Sequence, residues 1–264
     1  MFQSKFARAL IIGMTGCLIS SATTAHEFIV STVQSTLAPG QPATIFLDST
    51  HQFGAPEEAE AIENVRARLI TDAGQSELDV TPNPNAPNLV ASVDDRAQTG
   101  WIAAHRLPVV WSQTPDGWQE GGLEQHPDAM TASRYEKFAK HLIGPQASDD
   151  DAVVTTPLGD RLEIVPLGDP RRTKIGTDAE FRILLDGQPL TTTVLATYAG
   201  FTQTPSSWAY YTETLADDRG SAIAKVRISA PGLWVVRVAT DIPDAADGVR
   251  VHNLRATLSF HVDG

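Results

Sequence analysis

Histidines are the residues whose positions in this sequence could do chemistry. His26 directly follows a run of small residues, 20–25, that is typical of a signal-peptidase site, and cleavage after Ala25 would make it the first residue of the mature chain. It would then offer two nitrogen ligands, its imidazole and an α-amine, whose pKa of about 7.7–8.0 lets a metal displace the proton near neutral pH. Nitrogen ligands suit Ni, Co, Cu and Zn better than Ca or Mg. We therefore predict that His26 is a transition-metal ligand.

His51 is the second predicted ligand, because a hairpin would bring it close to His26. Residues 27–35 and 41–48 have the composition of strands, and residues 37–40, which include Pro39 and Gly40, are typical of a turn. With the turn centred between Pro39 and Gly40, position 26 would face about position 53, and position 51 about position 28. Facing residues lie about 4.5–5.5 Å apart, so a small bulge in the hairpin would bring the two imidazoles close together. The alternative is that His51 only begins a polar loop.

His252 is a candidate third ligand. It shares the predicted inward face of Leu254 and Phe260 at the start of the last strand, where a hydrogen-bonded histidine at the edge of the core is the alternative. The remaining histidines are weaker candidates. We expect His141 and His261 to be exposed, whereas His105 and His126 lie in a loop-rich region and stay open as ligands.

The first 25 residues have the pattern of a cleavable export signal. Lys5 and Arg8 precede an apolar run, residues 9–19, that is too short to span a bilayer. We expect the mature protein in the bacterial periplasm, without a transmembrane segment. In the alternative interpretation, Cys17 is a lipidation site. Cys17 is the only cysteine, so cleavage after Ala25 would leave no thiol for disulfides, metal sites or catalysis.

Composition narrows the classes of function. The chain has 264 residues, 42% of them hydrophobic, and a formal net charge of −12. Such a chain can bury a core, and its negative surface repels nucleic acid and attracts cations. The sequence contains no Gly-x-Ser-x-Gly, Walker, His-Glu-x-x-His or dinucleotide-binding motif, and its carboxylates define no catalytic pair by spacing. We expect a binding protein and not an enzyme.

Short strand-like runs separated by turn residues predict an all-β fold. We predict two tandem immunoglobulin-like or prealbumin-like β-sandwiches, the first over residues 26–170 and the second over residues 171–264, with a boundary in the proline-rich stretch 166–170. One helix is predicted in the first sandwich, over about residues 133–143. Ser133 and Glu136 form a capping box there, and apolar residues recur at helical spacing.

Four groups of segments cover nearly the whole predicted mature chain in a recognisable order. They are residues 25–28; residues 37–42 leading to 51–53; residues 134–140 followed by 162–166 and 169–170; and residues 186–190 with 217–220 and 232–234. Together they resemble a family of bacterial periplasmic proteins associated with nickel and cobalt uptake, the NikM-like or NikK-like domain of unknown function. The resemblance implies that the protein binds Ni(II) or Co(II), with Cu(II) as a further candidate, and supports a membrane metal-import complex. Within this resemblance, His26 and His51 are the positions implied as metal ligands.

Two other functions remain open at this point. One is a non-catalytic adhesion or assembly module that binds a protein or glycan, for which Trp118 and Trp208 are candidate exposed contacts, whereas Trp101 and Trp234 are predicted core residues. The other is a copper-dependent polysaccharide oxidase, in which an N-terminal histidine and a second histidine would hold the copper. Such enzymes usually contain disulfides, which the predicted mature chain lacks.

Overall fold

The protein is nearly all β. The computed structural model describes residues 26–33, 42–51, 53–94, 98–148, 150–201, 210–213, 215–216, 220, 222–244 and 246–264. The predicted export signal with Cys17, the predicted turn at 37–40 and Trp208 lie outside these residues. The strands, in chain order, are β1 (Glu27–Thr32), β2 (Ala43–Thr50), β3 (Val65–Thr71), β4 (Gly74–Glu77), β5 (Thr81–Pro82), β6 (Leu89–Val93), β7 (Gly100–Thr114), β8 (Gly117–Glu120), β9 (Thr131–Ile143), β10 (Leu162–Pro166), β11 (Asp178–Leu185), β12 (Gln188–Pro189), β13 (Thr193–Tyr198), β14 (Tyr210–Glu213), β15 (Leu215–Ala216), β16 (Ala222–Arg227), β17 (Gly232–Pro243) and β18 (Val251–Val262).

Helical structure is limited to short segments in the described part of the chain. One α-helix, α1, spans Ala152–Thr155 and is capped by Asp151, whose side chain accepts a hydrogen bond from the Val153 amide. Three 3-10 turns lie at Ile62–Asn64, Pro170–Arg172 and Ala246–Gly248. No described helix has the length and apolar character that crossing a membrane requires.

A nine-stranded sheet forms the centre of the molecule. Its strand order is β14-β13-β17-β18-β9-β7-β3-β4, with β8 paired to β7. All of its strand pairs are antiparallel except β18 and β9, which run parallel and join strands from the two halves of the chain. The strands β10 and β11 lie on either side of the predicted boundary near residue 170, and they pair with each other in a second sheet. The division into two units at this position stays a prediction.

The other two sheets cover opposite faces of this central sheet. The four-stranded sheet β1-β2-β6-β5 packs on the face that presents Ile102, Ala104 and Ala139. The five-stranded sheet, which contains β10, β11, β15 and β16 with β12 paired to β11, packs on the face that presents Trp101 and Phe138. Because successive residues of a strand point to opposite faces, adjacent residues of β7 and β9 belong to different cores. The result is a three-layer, sandwich-like β structure.

The helix predicted over residues 133–143 is wrong. These residues belong to β9, which lies between β7 and β18 and is buried on both faces from Glu136 to Ile143. Its lysines are buried with partners that offset the cost of burying charge: Lys140 donates to Glu163 at 2.7 Å, and Lys137 donates to Glu60 at 2.6 Å. The capping-box pattern does not decide the structure here, because tertiary packing overrides local propensity. Trp101 and Trp234 are fully buried, as predicted.

Side chains of the last strand hold β1 in place. All six residues of β1 are buried, and β1 pairs with β2 along one edge only. Along its other edge, the Phe28 carbonyl accepts a hydrogen bond from the Thr257 hydroxyl at 2.6 Å, and the Val30 carbonyl accepts one from Ser259. Further along, His261 Nε2 lies 3.2 Å from the carbonyl oxygen of Thr32. These contacts satisfy backbone groups that an edge strand would otherwise leave unpaired.

His141 completes this arrangement from β9. It is buried, so the expectation of an exposed residue is wrong. Its Nδ1 lies 2.7 Å from the Ser259 hydroxyl and its Nε2 lies 3.1 Å from the Thr32 hydroxyl. Burial lowers the pKa of His141 to about 3, so the imidazole is neutral at physiological pH. Because the Ser259 proton goes to the Val30 carbonyl, His141 donates through Nδ1 and accepts through Nε2.

Candidate metal centre

His26 and His51 lie side by side where β1 begins and β2 ends. Glu27 pairs with Thr50, and one step beyond this pair lie the two histidines. Their ring centroids are 3.9 Å apart, with the ring planes inclined at 49°. The sequence predicts position 26 opposite about position 53, so the register differs from the prediction by two residues. A shift of two residues preserves the face on which each side chain lies, and the two rings still meet.

Glu57 reaches both histidines from the segment that follows β2. This segment turns back along the end of β2, where the Glu57 amide donates to the Ser49 carbonyl at 3.0 Å and Glu58 forms a bridge with Ser49. Glu57 Oε2 then lies 2.8 Å from His51 Nδ1 and 3.1 Å from His26 Nε2. Its Oε1 accepts a hydrogen bond from the His51 amide at 2.9 Å. One potential ligand atom from each of the three residues lies within 4.8 Å of the other two.

A second carboxylate completes the surroundings of His26. Glu58 Oε1 lies 2.7 Å from His26 Nδ1, on the side of the ring away from Glu57. The side chains are 22% exposed for His26, 43% for His51, 40% for Glu57 and 57% for Glu58. An ion could therefore reach the cluster from solvent without any rearrangement of the core.

The charge of Glu57 follows from these contacts. The hydrogen bond from His51, supported by the contact with His26, lowers the pKa of Glu57 to about 2 from the usual 4.5, so its carboxylate is ionised at neutral pH. The carboxylate places a negative charge within 3.1 Å of a ring nitrogen of each imidazole, which favours a bound cation at this position.

A buried ion cluster anchors the segment that carries Glu57. Glu60 Oε1 accepts hydrogen bonds from Lys137 Nζ at 2.6 Å and from the Ser49 hydroxyl at 2.7 Å. Arg106 Nε lies 3.4 Å from Glu60 Oε2. Burial opposes ionisation of Glu60, but the charges of Lys137 and Arg106 outweigh it and hold the pKa of Glu60 below its usual value. The segment is thus fixed to the central sheet three residues after Glu57.

The structure does not bring His252 to His26 and His51. His252 is buried on the opposite face of the central sheet, where its Nε2 lies 3.0 Å from Glu136 Oε2. His105 Nε2 approaches the other oxygen of Glu136 at 2.8 Å. Burial lowers the pKa of His252 despite the nearby Glu136 charge.

The other histidines have separate partners. His126 Nε2 lies 2.8 Å from the backbone carbonyl of Glu120, and His261 is half-buried against β1. Among the described residues, only the group of His26, His51 and Glu57 has three metal-ligating side chains with atoms this close together.

Glu57 is the residue that the sequence analysis missed. Its signal in the sequence is weak: two adjacent carboxylates, Glu57 and Glu58, follow His51 by six and seven residues, after Pro56. Only the return of this segment along β2 turns that spacing into proximity.

Comparison with known proteins adds the family and little else. No curated protein matches the chain. A solved structure described as "Biofilm associated protein - BSP domain" is 8% identical, and the alignment covers 90% of this chain and 51% of that chain, about half its length. The TM-score is 0.20, too low to carry an argument about fold or function. Residues 23–241 match the family described as "Domain of unknown function (DUF4198)", and the chain belongs to that family.

Proposed function

We propose that this protein binds a transition-metal ion in the periplasm, Ni(II) or Co(II) foremost and Cu(II) as a further candidate, and supports metal uptake or handling. The observation that carries the proposal is the convergence of His26, His51 and Glu57 within 4.8 Å. Imidazole nitrogens with a carboxylate oxygen are ligands that borderline divalent metals accept. The exposure of the cluster fits an ion that is taken up from solvent and released again.

Removal of the first 25 residues would strengthen this site. The α-amine of His26 and its imidazole would then bind the same ion as a chelate, with His51 and Glu57 completing the set. The amine binds in its neutral form, so affinity would rise with pH near 7.7–8.0, the usual range for its pKa. The order of raw affinities follows the Irving–Williams series, with Cu(II) tightest, whichever metal the cell supplies.

A calorimetric titration tests the proposal. Ni(II), Co(II) and Cu(II) are titrated into a chain that begins at His26 and into one that retains Ala25. The variants His51→Ala and Glu57→Gln are measured in the first background, and His126→Ala serves as the control because that histidine contacts a backbone carbonyl away from the cluster. We expect the retained Ala25 and each cluster variant to weaken binding by at least about tenfold, equivalent to about 1.4 kcal/mol. The control should match the wild type.

Equal, millimolar binding in all of these proteins would refute the proposal and leave the adhesion or assembly module as the better hypothesis. Tight copper binding with oxygen- or peroxide-dependent cleavage of a glycan would instead support the copper-dependent oxidase.

A further inference from the structure

Three aromatic side chains share the face of the central sheet on which the four-stranded sheet packs. Trp111 and Gln113 lie two residues apart on β7, and Gln113 pairs with Trp118 of β8. Tyr135 of β9 pairs with Val109, two residues before Trp111. Paired residues of adjacent strands project from the same face, as do residues two apart on one strand. We call Trp111, Trp118 and Tyr135 the aromatic shelf.

The aromatic shelf begins where the four-stranded sheet ends. Lys137, two residues after Tyr135 on the same face, is buried against Glu60. Tyr135, Trp111 and Trp118 are each only partly buried. The loop after β8 packs on the other face, where the Ser112 hydroxyl donates to the Gly121 carbonyl. The shelf thus keeps part of its aromatic surface open.

Hydrogen-bonded side chains connect the shelf to the start of β1. Glu27, next to His26, accepts from Arg255, whose Nε donates to the Asn253 side chain at 2.8 Å. Asn253 Nδ2 in turn donates to Asp241 at 2.6 Å. Asn253 pairs with Tyr135 across β18 and β9, so this chain of contacts runs from the first residue of β1 to the strand position beside Tyr135.

Among the described residues, the exposed charged side chains that the strands place on the shelf face are negative. Glu120 pairs with Trp111 and Asp241 pairs with Asn253, so both carboxylates lie on the shelf face, and both are exposed. The neighbouring cations on this face are buried or mostly buried and lie against the carboxylates of Glu27 and Glu60; they are Arg106, Lys137, Arg237 and Arg255. A ligand that approaches the shelf therefore meets carboxylates and aromatic rings.

The arrangement of the rings distinguishes between ligand classes. The rings of Trp118 and Tyr135 are 6.4 Å apart and nearly perpendicular, at 81°. Sugar rings stack best on open, coplanar aromatic faces, which this pair does not provide. A cationic side chain is attracted to an aromatic face and to nearby carboxylates at the same time.

We propose that the aromatic shelf binds a positively charged segment of a partner protein, with lysine or arginine side chains against the rings, one beside Glu120 and another toward Asp241. Lys137, two residues from Tyr135, binds Glu60, which follows Glu57 by three residues, so a bound partner would lie on the same side of the central sheet as an ion held by His26 and His51. This position makes the partner a donor or acceptor of the ion, and that part of the inference rests on the proposed function. Binding of the cationic segment itself does not depend on metal.

The test uses the chain from residue 26 onward, without metal, and an alternating lysine–glycine hexapeptide as the probe. Binding is followed by tryptophan fluorescence and by the NMR shifts of the indole N–H groups. An alternating glutamate–glycine hexapeptide and cellohexaose are the comparison ligands. The variants are Trp118→Ala and the double variant Glu120→Gln with Asp241→Asn. Glu77→Gln is the matched control, because Glu77 is an exposed carboxylate at the far edge of the same sheet.

We expect the lysine peptide to bind, and both shelf variants to weaken it by about fivefold or more, whereas Glu77→Gln and the glutamate peptide show no such effect. If Glu77→Gln weakened binding of the lysine peptide as much as the shelf variants do, the binding would reflect general charge attraction, and the proposal would be overturned. Preferential binding of cellohexaose would overturn it in favour of a glycan. His51→Ala separates the two proposals: it should weaken metal binding by at least about tenfold and leave peptide binding intact.

Discussion

Replacing Glu57 by glutamine tests the electrostatics of the candidate site without any metal. The substitution keeps an oxygen that can accept the His51 amide hydrogen bond but removes the negative charge between the two imidazoles. The pKa of Glu57 is lowered from 4.5 to about 2, which for a fully buried group would correspond to about 3 kcal/mol of stability. The side chain is 40% exposed, and solvent screening reduces this to about 1 kcal/mol or less.

The pH dependence of this contribution has a definite sign. The pKa of Glu57 is lower in the folded protein than in the unfolded chain, so its contribution to stability is complete above about pH 4.5. It decreases as the pH falls through 4.5 toward about 2, because the unfolded chain then binds the proton first. At pH 3 less than about half of the difference between wild type and Glu57→Gln should remain.

Urea unfolding at pH 7 and pH 3 measures the difference directly. We expect Glu57→Gln to lower the free energy of unfolding by about 1 kcal/mol at pH 7 and by less than half as much at pH 3. Glu77→Gln, which removes an exposed carboxylate from β4, should change stability little at either pH. A Glu57→Gln difference that is absent at pH 7, or that is larger at pH 3, would show that the carboxylate does not interact with the histidines as described.

Two further predictions concern the core. The pKa of His141 is lowered from 6.5 to about 3, so its neutral imidazole should contribute fully to stability above about pH 6.5 and progressively less as the pH falls toward 3. The ring protons of His141 in NMR spectra should therefore not titrate between pH 7 and 4. A titration with a midpoint near pH 6.5 would contradict its burial. Gly144 has a φ of +78°, and a Cβ there would lie 2.0 Å from the Gln98 carbonyl oxygen, so Gly144→Ala should destabilise the protein by about 3 kcal/mol or more. Gly176 has a φ of +87° but open space around it, and Gly176→Ala should cost only about 1 kcal/mol. Equal thermal unfolding midpoints for the two variants would contradict the close approach at Gly144.

Local patterns predict the histidine pair because the hairpin needs only two strands and a turn. The sequence does not fix the exact register of β1 against β2, because the centre of the turn depends on backbone geometry. The predicted register differs from the observed one by two residues, which leaves each side chain on the same face. The packing of β9 was not accessible in the same way. Its residues Lys137, Lys140 and His141 are polar, and their burial makes sense only with the partners Glu60, Glu163 and Ser259, which come from other strands and loops.

Long-range contacts account for the remaining differences. The parallel pairing of β9 with β18 joins residues more than a hundred positions apart, and no periodicity in the sequence signals it. Glu57 lies in the site because the loop after β2 turns back along that strand. His252 has the inward orientation that the alternation predicts, but it faces the layer on the other side of the central sheet.

The hydroxyl groups of Thr257 and Ser259 have a consequence for how the protein matures. They bond the outer edge of the first strand from a position about 230 residues later in the chain. Until the last strand has folded, β1 is therefore held by its pairing with β2 alone, and its other edge offers unpaired carbonyl groups to any neighbouring chain. A truncated product that lacks its final dozen residues would keep that edge open and should aggregate more readily than the full chain.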